Sequence, residues 1–118
     1  MDLSNTSRTK MLVELVVIVP TYREVDNLPE LTRRIHEAVN GAGISTEIVV
    51  VDDDSQDGTD KVCKELSARY PLRLITRFSE RGLASAVIHG IRESQSEHVL
   101  VIDADLSHPP EDIPRFLQ

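Results

Sequence analysis

His98-Val99-Leu100-Val101-Ile102-Asp103-Ala104-Asp105 runs four apolar residues straight into two carboxylates one residue apart. The segment Val99–Ile102 has no polar face. It reads as a strand buried on both sides, of the kind found in a parallel sheet covered by helices. Asp103 and Asp105 then stand where that strand leaves the sheet, the place where open α/β sheets bind ligands. Side chains that only accept hydrogen bonds repel at this spacing unless a cation or protons intervene. A hard divalent ion with oxygen ligands, Mg²⁺ or Mn²⁺, suits the pair, and such ions share their shell with substrate phosphates. Asp-x-Asp alone is a weak motif, since one Asp can cap a helix while the other is solvated.

The chain has 118 residues, the size of one domain with one core. Hydrophobic residues make up 40% and charged residues 28%, a globular balance. The net charge of −7 argues against a nucleic-acid partner, which would demand a basic footprint. Much of the acidity is concentrated in Asp52, Asp53, Asp54, Asp57 and Asp60. Cys63 is the single cysteine, so no internal disulfide forms and a reducing compartment fits. It shares a helical apolar face with Val62 and Leu66, which makes it core filler. No apolar run approaches the about 20 residues of a membrane-spanning helix. Residues 1–14 are polar and lack the apolar segment of a secretory signal. They read as a fraying or disordered lead-in to one domain over 15–118.

Leu15–Val19 is a continuous apolar run rich in β-branched residues, a first strand that Pro20 is expected to stop. Asn27 and Glu30 have capping-box spacing, and Leu28, Leu31, Ile35, Ala38 and Val39 recur at helical intervals up to Gly41 and Gly43. Ile48–Val51 is a second strand ending in Asp52-Asp53-Asp54. Thr59 is placed to cap a helix whose inner face is Val62, Cys63, Leu66 and Tyr70. Leu72–Thr76 is a third strand, and Arg77–Arg81 a charged loop with solvated arginines. Gly82 opens a third helix with Leu83, Ala84, Val87, Ile88 and Ile91 apolar. After the fourth strand, His108 reads as a surface residue, and Pro109-Pro110 start a fourth helix carrying Ile113, Phe116 and Leu117. Alternating strands and helices predict a Rossmann-like α/β domain, three layers around a parallel sheet. A strand order of 3-2-1-4 would bring Pro20-Thr21-Tyr22, Asp52-Asp53 and Asp103-Ala104-Asp105 to one carboxyl-end crevice.

These segments carry a resemblance. Val19-Pro20-Thr21-Tyr22-Arg23-Glu24 with Asn27-Leu28, Val51-Asp52-Asp53 with Ser55 and Asp57-Gly58-Thr59, Gly82-Leu83 with Ala86, and Asp103-Ala104-Asp105-Leu106-Ser107-His108-Pro109-Pro110 follow one another in order. The set resembles the successive motifs of family 2 inverting glycosyltransferases of GT-A fold. It is most similar to the dolichyl-phosphate mannosyltransferase and polyprenyl-phosphate glycosyltransferase branch, from about Val16 onward. The resemblance implies that Pro20, Tyr22 and Glu24 line a nucleotide pocket and that Asp52 or Asp53 contacts base or ribose. It implies that Asp103 and Asp105 flank the donor diphosphate, with Asp105 the leading metal ligand, Asp103 nearer ribose and sugar, and Ser107 adding a metal-shell contact. The implied reaction passes a sugar from GDP-mannose or a UDP-sugar to a polyprenyl or dolichyl phosphate, with Mg²⁺ or Mn²⁺, at the cytoplasmic face of a membrane.

The chain departs from the family pattern at Asp54 and Ala84, where glycine is common, and it stops at Gln118. Family members continue into an acceptor half, so the chain is expected to be the donor-binding half and inactive alone. The fourth strand would then be an exposed apolar edge, open to pairing with a second copy. Two other classes compete. A receiver domain also uses strand-end carboxylates and Mg²⁺, but it opens on its acidic-pair strand and needs a later lysine this chain lacks. A non-catalytic nucleotide-binding module would use the same pocket without turnover.

Overall fold

The apolar run around Val17 forms the middle of a four-stranded parallel sheet, because both of its edges find partners. The computed structural model describes residues 13–117. Strand β1 spans Val13–Thr21, β2 Thr46–Asp52, β3 Leu72–Thr76 and β4 Ser96–Val101. The spatial order is β3-β2-β1-β4, the 3-2-1-4 arrangement predicted. Val17 pairs with Ile48 of β2 and Leu100 of β4, and Ile48 pairs in turn with Leu72 of β3. The 2-1-3-4-5 order of receiver-type domains is therefore absent from these strands.

Pro20 lies inside β1 and does not stop it. Ile18 offers its carbonyl to the Ile102 N–H, whereas Thr21 offers its carbonyl to the Asp53 N–H. Alternate residues thus face opposite neighbours, and Pro20 faces the β4 side. Pairing with β4 has already ended at Ile18 and Val101, so the donor that proline lacks has no ladder partner to lose. The chain therefore stays extended to Thr21.

One face of the sheet presents Leu15, Val17, Val19, Ile48 and Val50 to helix α1 (Leu28–Gly41) and helix α2 (Thr59–Ser67). Leu28, Leu31, Ile35 and Val39 of α1 are buried there, as their spacing predicts. Each such side chain contributes about 1.5–3 kcal/mol by leaving water. Cys63 and Leu66 of α2 join the same core. Burial pushes the Cys63 thiol up to about 12, with Asp52 and Asp60 adding to it, so the residue is unreactive filler. The helix ends differ from expectation. Asn27 occupies the N-cap of α1 without a side-chain capping bond, and Glu30 instead accepts from Arg33 at 3.0 Å. Gly58 is the N-cap of α2 at φ 94°, while Asp57 Oδ1 accepts from the Thr59 N–H and hydroxyl. Pro29 in the first turn of α1 compensates for the missing cap, since its lost donor is one the helix never uses.

The other face carries Val16, Ile18, Val49 and Val51 under helix α3 (Leu83–Arg92). Here the reading of apolar positions needs correction. Ala86 and Gly90 are the residues of α3 turned onto the sheet, while Leu83, Ile88 and Ile91 are exposed. A Cβ on Gly90 would meet three Ile18 atoms at 3.0, 3.1 and 3.3 Å, so the helix sits closer than a side chain would allow. Strand β4 also departs from the buried strand expected. It forms one edge of the sheet, and Val99 and Val101 are each 40% exposed. That agrees with the expected apolar edge. The last segment, Pro110–Leu117, is a 3₁₀ helix and not an α-helix, with Pro114 inside it. Arg34 of α1 holds it through Glu111 at 2.6 and 2.9 Å, and Ile113 is buried in the core. Residues 1–12, where the lead-in was expected, lie outside the described residues, and β1 begins two residues before Leu15.

Candidate functional site

The loops leaving β1, β2 and β4 meet at the carboxyl end of the sheet, on either side of the point where chain order reverses. A cavity of about 440 Å³ opens there. Its wall includes Pro20, Tyr22, Glu24, Asp53, Asp103 and Asp105, six of the eight residues the sequence singled out. Asp52 and Ser107 do not line it. Every described non-glycine residue with positive φ is in these same loops: Arg23 at 60°, Asp54 at 52°, Gln56 at 55° and Leu106 at 63°. Such conformations cost free energy and persist where surrounding bonds enforce them. Asp54 adopts the left-handed region in place of the glycine the resemblance led one to look for.

Asp52 is 3% exposed and works as a hub. Its carboxylate accepts from the Thr21 hydroxyl at 2.6 Å, the Ser55 hydroxyl at 2.6 Å and the Ser55 N–H at 2.9 Å. The Ser55 oxygen accepts in turn from the Arg23 N–H at 2.6 Å. One buried carboxylate therefore ties the β1 loop to the β2 loop and fixes Arg23 in its strained conformation, which sets where Tyr22 and Glu24 project.

Asp53 is held by a residue the sequence reading placed in solvent. Arg77 is 4% exposed, and its Nε and Nη2 donate to the two Asp53 oxygens at 2.7 and 3.0 Å. The Gly82 N–H adds a third bond to Asp53 at 2.9 Å, and Arg77 also reaches the Gly82 carbonyl at 3.2 Å. Burial pushes the Asp53 carboxyl up, but the Arg77 guanidinium and the Gly82 amide outweigh it and hold the group below its ordinary value. Arg77 escaped the sequence reading because its partner is 24 residues away. The available signal was its place immediately after β3, next to a strand that ends in two aspartates.

Asp103 and Asp105 are exposed at the cavity mouth. Asp105 Oδ1 accepts from the Ser107 hydroxyl at 2.6 Å and the Ser107 N–H at 3.0 Å. These bonds, the hydroxyl first, hold Asp105 below the usual carboxylate range. Leu106 turns the chain between them at positive φ. His108 is exposed, with Nδ1 3.4 Å from the Ser107 oxygen. Glu24 shares the cavity with both aspartates, and it is pushed upward by burial first and then by their charges. Among the described residues no group of three or more His, Cys, Asp or Glu side chains surrounds a common ion position. The chemistry of the two carboxylates nevertheless fits a hard cation, since both offer only oxygen and both are exposed. Asp103 and Asp105 are the residues that would hold it.

The model described as "Glycosyl transferase family 2" matches residues 16–118. A dolichol-phosphate mannosyltransferase from Pyrococcus furiosus is 49% identical over 106 residues, covering 90% of this chain and 30% of the relative. The protein of that name from Saccharomyces cerevisiae is 40% identical over 110 residues, covering 92% and 41%. A solved mannosyltransferase from Pyrobaculum calidifontis, in complex with GDP-Man and Mn²⁺, matches with a TM-score of 0.73 at 32% identity, covering 87% of this chain and 30% of that one. The chain thus spans less than half the length of each of these relatives.

Proposed function

The chain belongs to glycosyl transferase family 2, and from that membership we propose that it is the donor-binding part of a sugar transferase using GDP-mannose and a polyprenyl-type phosphate. The observation that carries the reading is the cavity at the strand ends, where Pro20, Tyr22, Glu24, Asp53, Asp103 and Asp105 converge. The relative with bound GDP-Man and Mn²⁺ supports GDP over UDP as the leaving nucleotide, and Mn²⁺ or Mg²⁺ as the ion. The dolichol-phosphate mannosyltransferases support a lipid phosphate as acceptor.

In this reading an acceptor phosphate oxygen attacks the anomeric carbon in line. The bond from that carbon to the diphosphate breaks, its electron pair leaves on the diphosphate, and configuration inverts. An acceptor that is already anionic has no proton to give up, so no strong general base is required. A divalent ion supplies neutralisation of the charge that develops on the leaving diphosphate. The chain's own part is to bind and orient. Tyr22 and Pro20 form an apolar wall for the nucleoside, Asp53 stays ionised through Arg77, and Asp103 and Asp105 face the diphosphate end. Asp52 and Ser107 act from behind as positioning residues, Asp52 through the loop hub and Ser107 by fixing one Asp105 oxygen.

No described helix is long and apolar enough to cross a membrane. We place the intact enzyme at the cytoplasmic face of a membrane, where a lipid phosphate and a soluble nucleotide sugar meet. The 118-residue chain alone binds donor without turning it over. Calorimetric titration of GDP and UDP with and without Mn²⁺ tests this. Metal-dependent binding that favours GDP and is lost in Asp105→Asn, with thermal unfolding unchanged because Asp105 is exposed, is the expected result. Absence of binding in the folded chain would overturn the reading.

A further inference from the structure

Tyr22 carries two guanidinium groups over its ring. Arg81 Cζ lies 4.9 Å from the ring centroid and Arg23 Cζ 5.3 Å. Of the two, only Arg81 lines the cavity, so it occupies the side of Tyr22 that a ligand would approach. Among the described residues Arg81 is also the one cationic side chain in a wall that holds Glu24, Asp53, Asp103 and Asp105.

The backbone beneath Arg81 is fixed while its side chain is not. Gly82 is bound from both sides, its N–H to Asp53 at 2.9 Å and its carbonyl to Arg77 at 3.2 Å. Arg77 itself is locked in its ion pair. The Arg81 side chain is exposed and forms no ion pair among the described residues, and its contact with Tyr22 is of the exposed cation–π kind that breaks cheaply. A planar guanidinium stacks on nucleobases as readily as on a tyrosine ring.

We propose that Arg81 is a specificity-determining residue for the donor's base, which enters between the Tyr22 ring and the Arg81 guanidinium and is stacked on both faces. The proposal rests on the cavity being the nucleotide site. In the free protein Arg81 rests on Tyr22 and keeps its face covered. On binding, the guanidinium lifts by the thickness of one ring while its anchored backbone stays in place. A purine offers more stacking area than a pyrimidine, so the clamp favours the larger base.

The test is calorimetry, with Mn²⁺, on the chain as it stands and on Arg81→Ala and Arg81→Lys. The probes are the tighter-binding of GDP and UDP, its nucleoside, and inorganic pyrophosphate. Arg81→Ala is expected to weaken the nucleotide and the nucleoside alike, roughly three- to thirtyfold, and to leave pyrophosphate unchanged. Arg81→Lys keeps the charge but lacks the plane, so it recovers only part of the loss. Losses confined to the nucleotide and pyrophosphate would make Arg81 a phosphate contact and overturn the clamp. Unchanged or tighter nucleotide binding in Arg81→Ala would overturn it too. A wild-type chain that binds no nucleotide would overturn the donor site itself, and the clamp with it. Coincident thermal unfolding of the three proteins excludes a folding effect.

Discussion

At the scale of single residues, Arg77 and Asp53 decide how the site holds together. Their pair is buried at 2% and 10% side-chain exposure, with two near-parallel bonds. Removing one member of a buried pair leaves an uncompensated charge, which costs about 3–5 kcal/mol. Arg77→Ala is therefore expected to lower unfolding stability by that order in urea at neutral pH. The sign with pH follows from the Asp53 carboxyl lying below its unfolded value. Its contribution is complete above about pH 4 and is lost as pH falls through the lower, folded value. The gap between wild type and Arg77→Ala should then narrow as pH falls through that lower, folded value, where Asp53 takes up its proton in the wild type as well. A gap that stays constant across that range would sink the assignment. Nothing local in Arg77-Phe78-Ser79-Glu80-Arg81 distinguishes the buried arginine from the exposed one. Pairing at this separation is a tertiary fact, whereas the carboxylates at the strand ends were legible because each follows an uninterrupted apolar run.

At the scale of elements, α1 was legible in both extent and buried face, whereas α3 was legible as a helix but not in the face it buries, for a reason visible in its packing. Helix α1 turns its large apolar residues inward, so its periodicity and its buried face coincide. Helix α3 turns Ala86 and Gly90 inward and leaves Leu83, Ile88 and Ile91 outside, so the apolar stripe points away from the sheet. Gly90 is the residue that permits the close approach. Gly90→Ala gains up to about 1 kcal/mol of helix propensity. Its Cβ would meet Ile18, which is fully buried in the central strand and has little room to yield. Overpacking of this kind costs about 1–3 kcal/mol, so the net change is a loss. Gly41→Ala is the control. It lies in the last turn of α1 with nothing within 4 Å of a new Cβ. That substitution should stabilise by about 0.4–1 kcal/mol. Paired denaturation curves check both signs, and a stabilised Gly90→Ala would show that α3 can ride outward.

At the scale of the whole molecule, one end of the sheet is crowded and one edge is bare. The crowding at the carboxyl end was readable because alternating strands and helices imply a parallel sheet, and the 3-2-1-4 order taken for it brings the loops after β1, β2 and β4 together. The bare edge is β4. Among the described residues it bonds β1 on one side only, and Val99 and Val101 are each 40% exposed. An apolar edge with open backbone donors and acceptors pairs with whatever strand it meets. In a solution of this chain alone, the available strand is a second β4. Two copies related by a two-fold axis would pair antiparallel and continue the sheet across the junction, an isologous contact that closes on itself. Light scattering should then show a mass that rises with concentration toward a dimer and no further. Val99→Lys with Val101→Lys places charge on the edge without touching the cavity, so the doubly substituted chain should remain a monomer and still bind nucleotide. A wild-type chain that stays monomeric at high concentration would refute edge pairing. A dimer that survives both lysines would move the contact elsewhere.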